Sequence, residues 1–78
     1  MADLSERNAR YLARQLHSQE GGWEAAAAKV NLSHSGLWRI AQGKGVRVSA
    51  RVLADLARAC GVSAALVLVV DLEQMEST

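Results

Sequence analysis

The fold is decided by residues 23–42, which read WEAAAAKVNLSHSGLWRIAQ. Apolar residues recur at helical spacing on both sides of Asn31, a residue that tolerates the left-handed backbone in which a helix can end tightly. Ala27 is small enough for two helix backbones to approach where they cross, and Ser33 is a favourable N-cap. The stretch therefore predicts a short helix over 23–30, a tight turn, and a second helix from Ser33 to about Gln42.

The rest of the chain predicts further helices. Residues 3–17 have an apolar face of Ala9, Leu12 and Leu16. The opposite face carries Arg7, Arg10 and Arg14, and we interpret it as solvated. Ser49 is placed to cap another helix that ends near Gly61. The apolar residues from 63 to about 70 fit a helix, which we favour, or a buried strand.

These elements predict a single domain spanning residues 1–78. Its fold class is all-α, a compact bundle of about five short helices, with a possible C-terminal dimerisation strand. A domain of 78 residues buries a limited share of its surface, which makes added burial against a partner subunit plausible. We expect the segment at about 63–75 to supply that contact.

Charge is distributed unevenly along a chain whose formal net charge is +1. Residues 25–54 contain no Asp or Glu. The residues after Cys60 include acidic side chains but no Lys or Arg. A basic central region favours binding of a polyanionic partner to one face of the protein. The single cysteine excludes an internal disulfide and suits a cytoplasmic protein, and the longest apolar run, 64–70, is too short for a membrane span.

Catalytic chemistry has little support in the sequence. His17, His34 and Cys60 do not have the spacing of metal ligands or of a catalytic triad. The glycines at 43–45 lack the pattern of a phosphate-binding loop. We expect neither enzymatic activity nor a cofactor or metal.

Residues 26–44, together with LADLARACGVS at 53–63, resemble the lambda-repressor-like helix-turn-helix family, which includes phage repressors and Cro proteins. The similarity runs from about residue 12 to residue 66. It implies a transcriptional regulator, a phage or bacterial repressor that binds a palindromic operator in double-stranded DNA as a homodimer. It also implies that the helix after Ser33 enters the major groove.

A helical wheel of that second helix separates an outer polar-aromatic side from an inner side with Leu37 and Ile40. The residues expected to contact DNA bases are His34, Ser35, Trp38, Arg39 and Gln42. Those expected to contact phosphates are Trp23, through the start of its helix, and Lys44, Arg47 and Arg51. Those expected at the dimer interface are Leu66, Val67, Val69, Val70 and Leu72.

One alternative function stays open at this point. A protein of the same fold could be an antitoxin or an adaptor, and its C-terminal segment would then bind a partner protein instead of a second copy.

Overall fold

The computed structural model describes residues 3–43 and 48–76, and within them the chain is all-α, as predicted. The helices are α1 (Leu4–Glu20), α2 (Trp23–Lys29), α3 (His34–Gln42), α4 (Ala50–Ala59) and α5 (Leu72–Glu76), with a 3-10 turn at Leu66–Leu68. No strand occurs in these two ranges. None of the helices described is long and apolar enough to cross a membrane.

Side-chain caps set where three helices begin. The backbone N–H of Gly36 donates to Ser33 Oγ at 3.0 Å, and that of Val52 donates to Ser49 Oγ at 3.2 Å, which confirms both predicted caps. Asp3 caps α1 in the same way through the N–H of Glu6. This first helix continues to Glu20, three residues beyond the predicted end, and stops at Gly21 with φ 77°.

The turn between α2 and α3 has the predicted conformation. Asn31 has φ 56°, the left-handed region that Asn tolerates better than most residues. The next residue, Leu32, donates its N–H to the carbonyl of Ala27 at 3.3 Å and packs partly buried against the core. Ala27 itself is 3% exposed, so α2 and α3 pack closely where a larger side chain would hold them apart.

The core surrounds α1, which packs against every other helix. Apolar side chains from all five helices and the 3-10 turn meet there, which removes their surface from water and supplies the main stabilising free energy. The fully buried members of largest volume are Leu12, Leu16, Leu37, Leu53, Leu56 and Val67.

The C-terminal segment differs from both predicted conformations. It forms neither a helix over 63–70 nor a strand, but a 3-10 turn followed by the short α5. The cause is the buried side chain of Asn8 on α1, whose Nδ2 donates to the carbonyls of Val67 at 2.8 Å and Val70 at 2.7 Å. Its Oδ1 accepts the N–H of Leu72 at 3.0 Å. One side chain thus satisfies backbone groups that regular secondary structure would otherwise have to pair.

The arginines of α1 make contacts that the sequence did not predict. We call Arg7, Arg10 and Arg14 the arginine row. It was predicted to be a solvated face, and Arg14 is exposed while the side chains of Arg7 and Arg10 are 39% and 35% exposed, but each of the three also bonds within the protein. Arg7 forms an ion pair with Asp71, and Arg10 Nη2 lies 3.5 Å from Glu73 Oε1. Arg14 Nε donates to the carbonyl of Ala41 at 3.0 Å. The row therefore joins α1 both to the C-terminal segment and to the end of α3.

Candidate nucleic-acid interface

The outer face of α3 has the geometry predicted for it. Its five side chains are all exposed, Trp38 to 40%, while Leu37 is 0% and Ile40 7% exposed on the inner side. We call the five together the α3 outer face: His34, Ser35, Trp38, Arg39 and Gln42. The helix carries no acidic residue, and Arg39 is the one Lys or Arg on this face.

Both ends of α3 are held in place. At the start, Gly36 is needed because a Cβ there would lie 2.9 Å from Ser33 Oγ and disturb the cap. At the end, Gly43 adopts φ 67° and its N–H bonds back to the carbonyl of Ile40. The Arg14 guanidinium satisfies the carbonyl of Ala41, one of the last carbonyls that a helix leaves without an internal partner. Both ends of the helix that carries the outer face are therefore capped.

The predicted phosphate contacts have different surroundings. The Trp23 indole is half-buried and lies against the His17 imidazole, with ring centroids 4.0 Å apart, so its side chain belongs to the packing between α1 and α2. Only its backbone N–H, at the start of α2, remains as a predicted contact. Arg51 is exposed in the first turn of α4. Lys44 and Arg47 lie outside the residues that the structure describes.

A family model described as a helix-turn-helix domain matches residues 7–69 of the chain. The chain belongs to the helix-turn-helix domain family. Neither the curated proteins nor the solved structures compared with it gave a match. This membership supports DNA binding, and the matched range includes the whole of α2, the turn at Asn31 and α3.

Cys60 is the one cysteine of this helix-turn-helix domain, and its surroundings are those of a structural residue. Its thiol donates to the carbonyl of Leu12 at 3.4 Å, and burial raises the pKa of the thiol. A thiol with a raised pKa is a poor nucleophile at neutral pH. Within residues 3–43 and 48–76, no group of three or more His, Cys, Asp or Glu side chains could hold a metal ion.

The C-terminal part of the helix-turn-helix domain leaves several large apolar side chains in water. We call them the C-terminal apolar surface: Leu66, Leu68, Val69 and Met75, exposed to 39%, 59%, 74% and 54%. Two residues predicted at a dimer interface are instead part of the subunit's own core, since Val67 is 1% and Leu72 6% exposed. Val70 is half-buried.

The sequence therefore identified Leu66 and Val69 on that surface but missed Leu68 and Met75. A run of five apolar residues at 66–70 contains no polar position to mark its outer side, and the 3-10 turn changes which side chains point outward.

Proposed function

We propose that this helix-turn-helix protein is a transcriptional regulator, a repressor of phage or bacterial origin that binds a palindromic operator in double-stranded DNA as a homodimer. The observation that carries this proposal is the α3 outer face. Five polar or aromatic side chains project together from a helix whose other side is anchored by Leu37 and Ile40.

The dimensions of α3 suit the major groove. An α-helix with its side chains is about 10–12 Å across, and the groove is about 12 Å wide. Recognition helices of this motif contact base edges mainly through their N-terminal residues. His34 and Ser35 lie in the first turn of α3, and Trp38 and Arg39 lie one turn later on the same side. The absence of acidic residues spares the face from repulsion by DNA phosphates.

Side-chain chemistry assigns a role to each residue. Arg39 is suited to donate two hydrogen bonds to O6 and N7 of a guanine, and Gln42 to pair with N6 and N7 of an adenine. Trp38 offers apolar contact to a thymine methyl group. His34 and Ser35 can bond to a base edge or to a phosphate. In this account Arg39 makes the largest contribution to sequence discrimination.

Phosphate contacts would place the domain on the duplex without reading its sequence. The exposed Arg51 at the start of α4 is the candidate side chain among the residues that the structure describes. Lys44, Arg47 and the N–H of Trp23 complete the set proposed from the sequence. Residues 25–54 contain no acidic side chain that would oppose these contacts.

The proposed homodimer uses the C-terminal apolar surface. Leu68 and Val69 are more than half exposed, and burying such side chains against a second copy is favourable by about 25 cal/mol per Å². Two-fold symmetry would then present two α3 helices to half-sites about 34–36 Å apart. The same side chains would suit an unrelated protein, so the oligomeric state of the free protein distinguishes the repressor from an antitoxin or adaptor.

Selection of bound sequences from random double-stranded DNA, at a stated salt concentration, tests the proposal. We expect enrichment of a two-fold symmetric sequence with half-sites one helical turn apart, and binding that a scrambled duplex does not reproduce. Retention of random sequence alone, or of no DNA, would contradict a sequence-specific regulator.

A further inference from the structure

The guanidinium of Arg14 is fixed at the end of α3 by one hydrogen bond. Arg14 lies on α1 and is exposed, and its Nε donates to the carbonyl of Ala41, in the last turn of α3, at 3.0 Å. Among the residues that the structure describes, Arg14 makes no other hydrogen bond or ion pair. A guanidinium carries five N–H donors. Within the described part of the chain, the four donors on Nη1 and Nη2 are therefore left for a ligand.

The charge of Arg14 distinguishes it from the other two members of the arginine row. Arg7 pairs with Asp71, and Arg10 pairs with Glu73, so a carboxylate lies beside each of those guanidinium groups. None of the residues three or four positions before or after Arg14 in α1 is acidic, and neither is any residue from 25 to 54. The positive charge of Arg14 is therefore available to attract an anion.

The place of Arg14 is one edge of the α3 outer face. Ala41 follows His34 by seven residues, about two helical turns, so both lie on the same line along α3. His34 is exposed and begins the outer face, whereas Ala41 is 0% exposed. The next residue, Gln42, is again exposed on the outer face. Arg14 thus lies at the border between α1 and the C-terminal end of that face.

The DNA backbone would pass this border if α3 entered the major groove. A helix about 10–12 Å across fills a groove about 12 Å wide, so the phosphates of the two strands flank its edges. The Nη1 and Nη2 groups of a guanidinium lie in one plane and can donate to two oxygens of one phosphate. The bond from Nε to Ala41 fixes the guanidinium before DNA binds, which reduces the side-chain entropy lost on binding.

We propose that Arg14 binds a backbone phosphate beside the base pair that Gln42 contacts, which extends the DNA interface from α3 to α1; this inference rests on the proposed function. The contact is made to the backbone, so it adds affinity for any duplex and does not read sequence. Arg14 joins the phosphate contacts proposed from the sequence, where it was assigned to a solvated face.

The first test measures how the affinity of Arg14→Gln depends on salt concentration, on the selected operator and on a random duplex. One phosphate contact contributes about 0.9 to the slope of log K against log salt, which corresponds to about eightfold in affinity at 0.1 M salt. For each subunit bound, we expect the slope to fall by about 0.9 and both affinities to fall by about eightfold. A slope equal to that of the wild type would overturn the proposal.

Arg14→Lys separates the charge of Arg14 from its bond to Ala41. Lys keeps a positive charge that can bind a phosphate, but it has no Nε–H to donate to that carbonyl. We expect Arg14→Lys to keep the salt slope of the wild type, with affinity within about threefold. If Arg14→Lys loses as much slope and affinity as Arg14→Gln, Arg14 acts on α3 alone and the phosphate contact is wrong.

The second test locates the phosphate. Operator duplexes are prepared in which one phosphate of a half-site at a time is replaced by an uncharged methylphosphonate. At the phosphate beside the Gln42 base pair, we expect this replacement to weaken the wild type by about eightfold and Arg14→Gln by less than about twofold. At every other phosphate, the two proteins should lose affinity equally. The absence of any position where they differ would overturn the contact.

Arg58→Gln is the matched control. Arg58 is an exposed arginine in the last turn of α4 whose guanidinium pairs with Asp55, and its replacement removes the same charge as Arg14→Gln. We expect the salt slope and the methylphosphonate pattern of the wild type. An equal loss of slope in Arg58→Gln would attribute the effect to net charge and overturn a specific contact of Arg14.

The random duplex separates failure of this inference from failure of the proposed function. A wild type that selects no operator but binds random DNA contradicts the sequence-specific regulator, and the salt slopes on random DNA then decide whether Arg14 binds phosphate. A wild type that binds no double-stranded DNA overturns both. A smaller slope in Arg14→Gln, kept in Arg14→Lys and Arg58→Gln, supports the contact.

Discussion

The backbone N–H of Leu72 donates to Asn8 Oδ1 at 3.0 Å, across 64 positions of sequence. Asn8 is 0% exposed, and its Nδ2 also donates to two backbone carbonyls of the same segment, those of Val67 and Val70. A buried amide that makes three hydrogen bonds specifies one arrangement of the segment, because any shift would leave polar groups unpaired. The position of the C-terminal apolar surface thus depends on one side chain of α1.

Replacing Asn8 by Leu should destabilise the protein strongly. Leu has a similar volume but cannot form hydrogen bonds, and each backbone group left buried without a partner costs about 1–3 kcal/mol. Two of the three bonds, those to Val67 and Leu72, are buried, so we expect a loss of at least about 2 kcal/mol, which lowers Tm by roughly 8–16 °C in a domain of this size. Thermal and urea unfolding measure this change. The exposed substitution Gln19→Ala on the same helix is the control, and a Tm equal to that control would contradict the role of Asn8.

Cys60 predicts a specific dependence of stability on pH. Burial raises the pKa of its thiol in the folded protein, so the folded state holds the proton more tightly than the unfolded chain. This contribution to stability is fully present below the unfolded thiol pKa of about 8.5 and is lost as the pH rises through the folded pKa.

The comparison of wild type with Cys60→Ala isolates this effect, since all other titrating groups are shared. We expect the free energy of unfolding of the wild type to fall relative to Cys60→Ala between pH 7 and alkaline pH. Urea unfolding at several pH values measures it, and parallel curves for the two proteins would show that the thiol does not contribute.

The α2–turn–α3 unit was predictable from the sequence because its signals are local. Ser33 caps a helix that starts one residue later. Asn31 is the one non-glycine residue with a left-handed backbone in the described part of the chain. The division between the buried Leu37 and Ile40 and the exposed outer face follows from helical periodicity alone. Each of these features depends on residues within about one helical turn of one another.

The C-terminal segment was not predictable in this way because its conformation depends on residues distant in sequence. Asn8 lies four residues before Leu12 and eight before Leu16, so all three are on the same buried side of α1. A polar residue among apolar ones on that side was the sequence signal for a buried hydrogen-bonding role. The acidic residues after Cys60 and the basic row on α1 were a second signal. Read together, their opposite charges would have suggested that the two segments pair.

Arg39→Ala should weaken binding to the selected operator by about 1–3 kcal/mol, a factor of roughly 5–150, and relax specificity at one base position. The reason is the loss of the two hydrogen bonds to guanine that we propose for Arg39, the one Lys or Arg of α3. Fluorescence anisotropy on the operator and on a random duplex measures the change. Arg58→Ala, which also removes one exposed arginine, should leave operator affinity nearly unchanged.

An equal loss for Arg39→Ala on both duplexes would assign Arg39 to phosphate contact and contradict a base-reading role.

Val69→Glu should convert the proposed dimer into a folded monomer. Val69 is 74% exposed, so the subunit tolerates the charge, whereas burying it against the apolar residues of a second copy is unfavourable. Sedimentation measures the mass, and circular dichroism checks that the helices persist. Ser18→Glu, an added charge at an exposed site of α1, is the control and should remain dimeric.

A wild-type protein that is monomeric under the conditions in which it binds DNA would contradict this interface. So would a Val69→Glu variant that remains dimeric. Monomeric wild type would favour a different protein as the occupant of the C-terminal apolar surface. Truncation after Ser63 would be a poorer test, because it also removes Val67 and Leu72 from the core.

Contact of the α3 outer face with DNA is measured residue by residue by amide chemical shifts while the operator is titrated into isotope-labelled protein. We expect the largest changes at Ser35, Arg39 and the indole N–H of Trp38, with smaller changes along the rest of the chain. Changes confined to the C-terminal segment or to α1, with the α3 outer face unaffected at saturating operator, would contradict it.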